Sequence, residues 1–348
     1  MNRRGGRLFP IPFPRTPRPT PEQREEQQQS QAPDASTSNP DNVLYQPSPK
    51  DISDVTLILE KTGNLPPEVV GIILDYAEYW ACTIASADYR NLPSGHLAIR
   101  GSHPTENQFL LRTEPIGLSN WSPASPDLWR RESTPRLLDP EAEAESEYPR
   151  ATLEALADGP VPPFEHPVRK VVFDIFSRDQ GWSDERESHG TYNHSYTWFD
   201  AGLELFDPTI KCPDDCPDRQ NPNYDERSIP TCAIRPLWPV SVRSEPDVPA
   251  RYHHDLLASP EHCIQRNKLA ARPFHHHHVE WRATDDIDPQ STAAEALENA
   301  GRGRATGNGE FVRNLKLGDI ITVWGRARFR SWSNNIERVQ VKVYWAVQ

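Results

Sequence analysis

The sequence lacks the features that mark several common protein classes. Five cysteines in 348 residues are an odd number, which makes a poor disulfide framework and fits a reducing compartment. The most apolar stretch, residues 69–85, carries Asp75 and Glu78 and is too short to cross a bilayer. With 38 Lys plus Arg against 50 Asp plus Glu, the net charge is −12, which disfavours a nucleic-acid or anionic-membrane surface. We therefore expect a cytoplasmic or nuclear protein that binds neither nucleic acid nor membrane.

Common catalytic signatures are missing as well. The chain has no phosphate-binding glycine loop, nucleophile elbow, H-E-x-x-H motif or kinase signature. Carboxylates are numerous, but no two of them stand out as a glycosidase pair. The sequence predicts a protein that is not an enzyme and needs no cofactor. The alternative is a carbohydrate-active or metal-dependent enzyme built on a β-sandwich.

Proline and tryptophan are abundant, with 36 and 10 residues. Residues 1–50 hold ten of the prolines and a Gln- and Glu-rich middle, so they bury too little apolar surface to fold and are predicted to be a disordered tail. Residues 122–163 are rich in proline and acid and are predicted to be an insertion or linker, with further loop insertions at 207–230 and 285–309.

A helical pair is predicted over residues 51–84. Asp51 or Ser53 can cap a first helix that ends near Lys61, and a second helix opens at Pro66 and Pro67, where proline is tolerated in the first turn. The second helix repeats apolar residues at i, i+3 and i+4, which predicts one apolar face. Its members are Val69, Val70, Ile73, Leu74, Ala77 and Trp80.

Clean alternation in the second half of the chain predicts β-strands. In residues 168–177, Val171, Phe173 and Ile175 share one face. In residues 337–347, every second residue from Val339 onward is apolar. No crossover helices separate the candidate strands, so we predict a mainly β fold, an antiparallel jelly-roll-type sandwich over residues 164–348, to which strands within 85–121 are added.

The start of the second helix resembles a known family. Leu65-Pro66-Pro67-Glu68-Val69-Val70, followed by Ile73-Leu74, is similar to the opening of an F-box, which docks on the Skp1 subunit of a ubiquitin ligase. The resemblance implies an adaptor whose partner-binding residues are Leu65, Pro66, Glu68, Val69 and Ile73. An F-box continues with further helices, whereas this chain becomes strand-like after Ile84.

A second resemblance covers residues 164–348. The segments 168–173, 179–183, 196–199, 317–329 and 343–346 are similar to proteins of filamentous fungi, many of them without an assigned function. The plan also resembles the galactose-binding-like jelly roll, including the sugar-binding domain of some F-box proteins. Together the two resemblances imply a non-enzymatic binding protein whose sandwich recognises a protein or a glycan.

Tryptophans near strand ends are candidates for sugar stacking, because the apolar face of a sugar packs on aromatic rings while polar side chains bond its hydroxyls. The alternative is that Trp198 and Trp324 are core residues and that Trp182 and Trp332 cover loop ends. The candidate ligand-binding residues are Asp179, Gln180, Trp182, Trp198, Arg326, Arg328, Trp332 and Asn334.

Four consecutive histidines, His275 to His278, raise the question of a metal site. On a strand, successive side chains point to opposite faces, so either His275 with His277 or His276 with His278 lie together. A third ligand would come from His253, His254, His262 or Cys263. Cys212 and Cys216 have a loose zinc-hairpin spacing but lack two further ligands. A polar, half-buried strand is the alternative, and no metal ligand is assigned.

Overall fold

In the computed structural model, the residues from Gln46 onward form one compact unit. The residues that the structure describes are 45–118, 121–123, 125–137, 150–157, 159–207, 210, 214, 216–220 and 230–347. Outside them lie the predicted tail up to residue 44, Cys212, and parts of the predicted insertions at 122–163 and 207–230.

The described residues contain twelve strands and six α-helices. The strands are β1 (Ala81–Asp88), β2 (Leu97–Arg100), β3 (Asn107–Arg112), β4 (Val168–Arg178), β5 (Thr197–Phe206), β6 (Ile234–Trp238), β7 (Ser241–Val242), β8 (Arg251–Tyr252), β9 (Cys263–Arg266), β10 (His275–Arg282), β11 (Ile320–Ala327) and β12 (Ser333–Trp345). The helices are α1 (Pro49–Lys61), α2 (Pro67–Tyr76), α3 (Pro126–Trp129), α4 (Arg150–Leu156), α5 (Thr292–Asn299) and α6 (Glu310–Arg313).

Two antiparallel sheets make the sandwich. The first, sheet A, has the order β1-β12-β4-β10, and β2 also pairs with β12. The second, sheet B, has the order β3-β11-β5-β6, and β9 also pairs with β5. Successive long strands alternate between the sheets, since β4 and β12 lie in sheet A while β5 and β11 lie in sheet B. This is the jelly-roll arrangement, and the predicted antiparallel β-sandwich is confirmed.

The core between the sheets consists of the side chains whose alternation predicted it. Val171, Phe173 and Ile175 of β4 are fully buried, as are Val339 and Val341 of β12. All belong to one apolar cluster. At about 25 cal/mol per Å² of apolar surface removed from water, burial of these two central strands is a main source of stability.

The helical pair belongs to this same core. Ser48 caps α1 in a reciprocal capping box with Asp51, so the cap lies three residues before Asp51, the earlier of the two expected caps, and the helix begins at Pro49. Pro67 is the first residue of α2, as the sequence predicts. Ile52 of α1 and Val70 and Leu74 of α2 are buried in the main core cluster. The pair is therefore packed on the sandwich rather than held apart from it.

Sheet B is covered on its outer side too. All eight residues of β11 are buried, including Trp324 and Arg326, which alternate with the core-facing ones. Phe109 and Tyr252 pack against the Trp324 ring at centroid distances of 5.6 and 5.2 Å. The segment around β8 thus forms a second, smaller apolar layer outside the sheet.

None of the helices in the described ranges combines the length and the apolarity that a membrane crossing requires.

Candidate functional site

Helix α2 has two apolar faces, not the single one that the sequence predicts. Val70 and Leu74 face the core, whereas the side chains at i, i+3, i+4 and i+7 from Val69 point outward. Val69, Ile72, Ile73 and Tyr76 are 39, 65, 40 and 93 % exposed. We call these four residues the α2 stripe. Such a row of large apolar side chains on one helix face is typical of an interaction surface.

Beside the α2 stripe lies a groove of about 580 Å³ between α1 and α2. Leu57, Ile72 and Phe164 contribute exposed apolar walls, and Glu60 and Glu68 add acidic groups to the rim. The stripe and the groove share Ile72, so they form one continuous apolar surface with an acidic border.

The end of α2 is fixed to sheet A by charged groups. Asp75 accepts a hydrogen bond from the Trp80 indole at 2.8 Å and pairs with Arg169 at 3.1 Å. Glu78 pairs with Lys170 and, at 2.6 Å, with Arg282. Hydrogen bonds from Arg282 and then Lys170 hold the pKa of Glu78 below its usual value. These contacts set the orientation of the helix on the sandwich.

The partner-binding residues expected from the F-box resemblance differ in their exposure to solvent. Pro66, Glu68, Val69 and Ile73 are exposed, while Leu65 is half-buried against the core. Sequence reasoning missed two members of the surface, Ile72 and Tyr76. The signal was present, because they continue the i, i+3, i+7 series that starts at Val69.

The candidate sugar-binding residues occupy two different environments. Trp198, Arg326, Arg328, Asn334 and Asp179 are buried. Asn334 donates to the carbonyl oxygens of Trp198 and Arg326, both at 3.2 Å, and Asp179 accepts from the backbone N–H groups of Gly181 and Ala270. The polar side chains of this group are thus engaged with the chain itself.

The other members of that set lie at the surface. Trp182 is 55 % exposed, and Trp332 is half-buried with its ring edge-on to Tyr196 at 5.0 Å. Gln180 connects the segments of these two tryptophans. Its amide donates to the Trp182 carbonyl at 2.7 Å and accepts from the N–H of Ser333, the residue after Trp332, at 3.3 Å. Trp198 and Trp324 are core residues, which was the alternative interpretation of the pattern.

Arg326 forms a buried ion pair with Asp200 of the neighbouring strand. Its Nε lies 2.9 Å from Asp200 Oδ2, and Nη1 donates to His254 Nδ1 at 2.8 Å and to Asn107 Oδ1 at 3.3 Å. Burial lowers the pKa of His254 to about 2, so the ring stays neutral and can accept. Burial also raises the pKa of Asp200, and Arg326 opposes that shift.

An apolar pocket of about 300 Å³ lies beside β6 and α6, at the lower end of the usual ligand-pocket range. The Trp238 and His262 rings stack in its wall with centroids 4.0 Å apart, and Phe311 lies edge-on to His262 at 6.3 Å. Asn308 and Asn314 supply polar groups to the lining. Sequence reasoning passed over this aromatic group because its members are far apart in the chain.

The histidine run alternates as predicted. His277 is buried, whereas His276 and His278 lie on the outer face of sheet A. There both approach Asp174 Oδ1, at 2.9 Å from His276 Nε2 and 2.8 Å from His278 Nδ1. Burial acts to raise the pKa of Asp174, but hydrogen bonds from His278 and His276 outweigh it and hold the pKa below its usual value.

Asp174 is not one of the four residues expected as a third ligand. Those were His or Cys, and within the described ranges the group of potential ligands that comes together is Asp174, His276 and His278. The sequence carries part of the signal, since Asp174 is the lone acid in an apolar run, but only the β4–β10 pairing places it opposite His278.

Comparison with known proteins gives no further guide. No protein-family model matches the chain, and no curated protein matches it.

Proposed function

We propose that this protein is a non-enzymatic binding protein that docks a protein partner through the α2 stripe, in the manner of an F-box-like adaptor, with Skp1 as the partner implied by its Leu-Pro-Pro-Glu start. The observation that carries the proposal is the two-faced helix. Val70 and Leu74 anchor α2 in the core while four large apolar side chains stay exposed on its other face. A preorganised apolar helix face is a common means of helix-in-groove recognition.

Because α1 and α2 pack on the core of the sandwich, the proposal is tested with point variants and not with a deletion of the helices. Ile52, Val70 and Leu74 are core residues, so removal of the helices would expose the sandwich interior. Ile73→Asp and Tyr76→Ala change exposed side chains only and should leave the fold intact. Leu256→Asp is the matched control, because Leu256 is also an exposed apolar residue, at 62 %, but lies outside α2.

The test is a titration of purified Skp1 into the full-length protein by isothermal calorimetry. We expect wild type and Leu256→Asp to bind alike, and Ile73→Asp to weaken binding at least about tenfold, because a charge in a desolvated apolar contact costs more than about 1.4 kcal/mol. Wild-type protein that does not bind Skp1 would reject the adaptor form. Equal binding by Ile73→Asp would reject the α2 stripe as the docking surface.

A second binding function, recognition of a glycan by the sandwich, is supported by the pocket at Trp238. Trp238 and His262 give the pocket an aromatic wall, and Asn308 and Asn314 offer amide groups to hydroxyls. The surface residues Trp182 and Trp332 remain the sequence-derived candidates for the same role. A glycan array probed with wild-type protein, Trp238→Ala and Trp182→Ala distinguishes the two candidate glycan sites, because only the variant in the true site should lose the signal.

A further inference from the structure

We propose that Asp174, His276 and His278 bind a divalent first-row transition-metal ion on the outer face of sheet A. The site is independent of the α2 stripe. It arises from the strand geometry, because His276 and His278 are two residues apart on β10 and Asp174 stands on the adjacent strand β4.

The distances suit a shared ion. The three potential ligand atoms all lie within 4.8 Å of one another, and Asp174 Oδ1 is 2.8 and 2.9 Å from the two imidazole nitrogens. Ligand bonds to such ions are about 2.0–2.2 Å long, which places neighbouring ligand atoms roughly 3 Å apart. An ion can therefore take the place between these three atoms with small side-chain movements.

Each ligand also has a neighbour that fixes its orientation. The Phe176 ring is stacked on His276, with centroids 4.4 Å apart and planes at 9°. Glu280 Oε1 lies 3.2 Å from His278 Nε2, the nitrogen that faces away from Asp174, and Lys342 lies 3.4 Å from Asp174 Oδ2. In metal sites a ligating histidine usually donates its other N–H to a carboxylate, and a ligating carboxylate is itself held by a further contact. Glu280 and Lys342 are placed for these two roles.

The donor set selects the class of metal. Two imidazoles and one carboxylate suit Zn²⁺ or Fe²⁺, whereas Mg²⁺ and Ca²⁺ prefer oxygen ligands alone and Cu⁺ prefers sulfur. Three protein ligands leave coordination positions for water, as in open sites and unlike closed structural ones. His276 and His278 are about half exposed, so an ion can reach the site from solvent.

Zn²⁺ is the probe, and the full-length protein must be purified without a histidine tag. Affinity is measured by competition with a chromophoric chelator, and stoichiometry by elemental analysis after dialysis. We expect one Zn²⁺ per chain. His278→Asn should weaken binding at least 100-fold, and Glu280→Gln about 10–100-fold, as for other outer contacts of metal ligands. His275→Asn is the matched control, because it removes a histidine of the same run whose side chain belongs to the opposite face.

Two results of the binding measurements would overturn the proposal. One is wild-type protein without stoichiometric Zn²⁺. The other is an equal loss of Zn²⁺ affinity in His275→Asn and His278→Asn, which would indicate that the four consecutive histidines chelate Zn²⁺ regardless of the face on which each lies. A measurement on wild type alone avoids any folding defect of a variant: Zn²⁺ should protect His276 and His278, but not His275, from carbethoxylation read by mass spectrometry, and equal labelling would reject the site. Ile73→Asp should bind Zn²⁺ normally, so this test and the docking test fail separately.

Discussion

Replacement of Arg326 by Met should destabilise the protein by about 3–5 kcal/mol, because it leaves a buried carboxylate without its counter-ion. The Arg326 and Asp200 side chains are 2 and 6 % exposed, and their charged atoms are 2.9 Å apart. Methionine is apolar and similar in length, so the volume changes little. The acceptors on His254 and Asn107 lose their donor at the same time, which places the cost at the upper end of the range.

The assay is a double-mutant cycle measured by urea unfolding at pH 7. Asp200→Asn alone leaves the guanidinium without a counter-ion and should also cost several kcal/mol. The double variant Arg326→Met with Asp200→Asn should cost less than the sum of the two by at least about 2 kcal/mol, since neither charge remains. Arg112→Met combined with Asp200→Asn is the control. Arg112 pairs with Glu204, four residues along β5 from Asp200, so these effects should add.

Two outcomes would refute this reasoning. A cost below about 1 kcal/mol for Arg326→Met would mean that the guanidinium is not required by the fold. Simple additivity in the cycle would mean that Arg326 and Asp200 are not coupled. In either case Arg326 would again be a good candidate for ligand binding, as the sequence pattern suggested.

Three further predictions concern the helices and the pocket. Leu74→Ala should cost about 2–5 kcal/mol and Ile73→Ala less than about 1 kcal/mol in urea unfolding, because only Leu74 is in the core. Glu78→Gln should lower stability by less than about 1 kcal/mol at pH 7. The pKa of Glu78 is depressed in the fold, so this difference from wild type is full above about pH 4.3 and vanishes as pH falls through the folded-state pKa, which acid titrations of both proteins can check. If the pocket at Trp238 binds the glycan, Trp238→Ala should abolish the glycan-array signal of the wild-type protein. An unchanged signal would exclude this pocket as the glycan site.

The strands with strong alternation were predictable from sequence, and those without it were not. The two central strands, β4 and β12, carry large β-branched and aromatic residues at every second position and lie where expected. β1 was assigned in part to the helical pair, yet it pairs with β12 along its whole length. Its inward positions include Ala81, Ala85 and Ala87, whose small side chains give almost no period-two signal.

The sites depend on contacts that one sequence does not encode locally. Arg326 alternates with core residues, so the pattern predicts that it faces outward. It does, but the segment containing Tyr252 and His254 covers that side of sheet B and buries it. Asp174 and His278 are 104 positions apart and meet only through strand pairing. Periodicity gives the face on which a residue lies, whereas burial and proximity depend on which distant segment packs there.

The packing of α2 bears directly on how a partner would bind. An isolated ten-residue helix is barely stable in water, so a free segment would have to fold on binding and lose affinity to ordering. Here Val70 and Leu74 in the core already hold the helix in place, together with the ion pairs that Asp75 and Glu78 make with Arg169 and Arg282 of sheet A. The α2 stripe is thus preorganised, and less of its interaction free energy is spent on ordering the helix. The same anchoring links the α2 stripe to the sandwich, so a destabilised sandwich should lose any partner that docks on the α2 stripe, even when the stripe itself is intact.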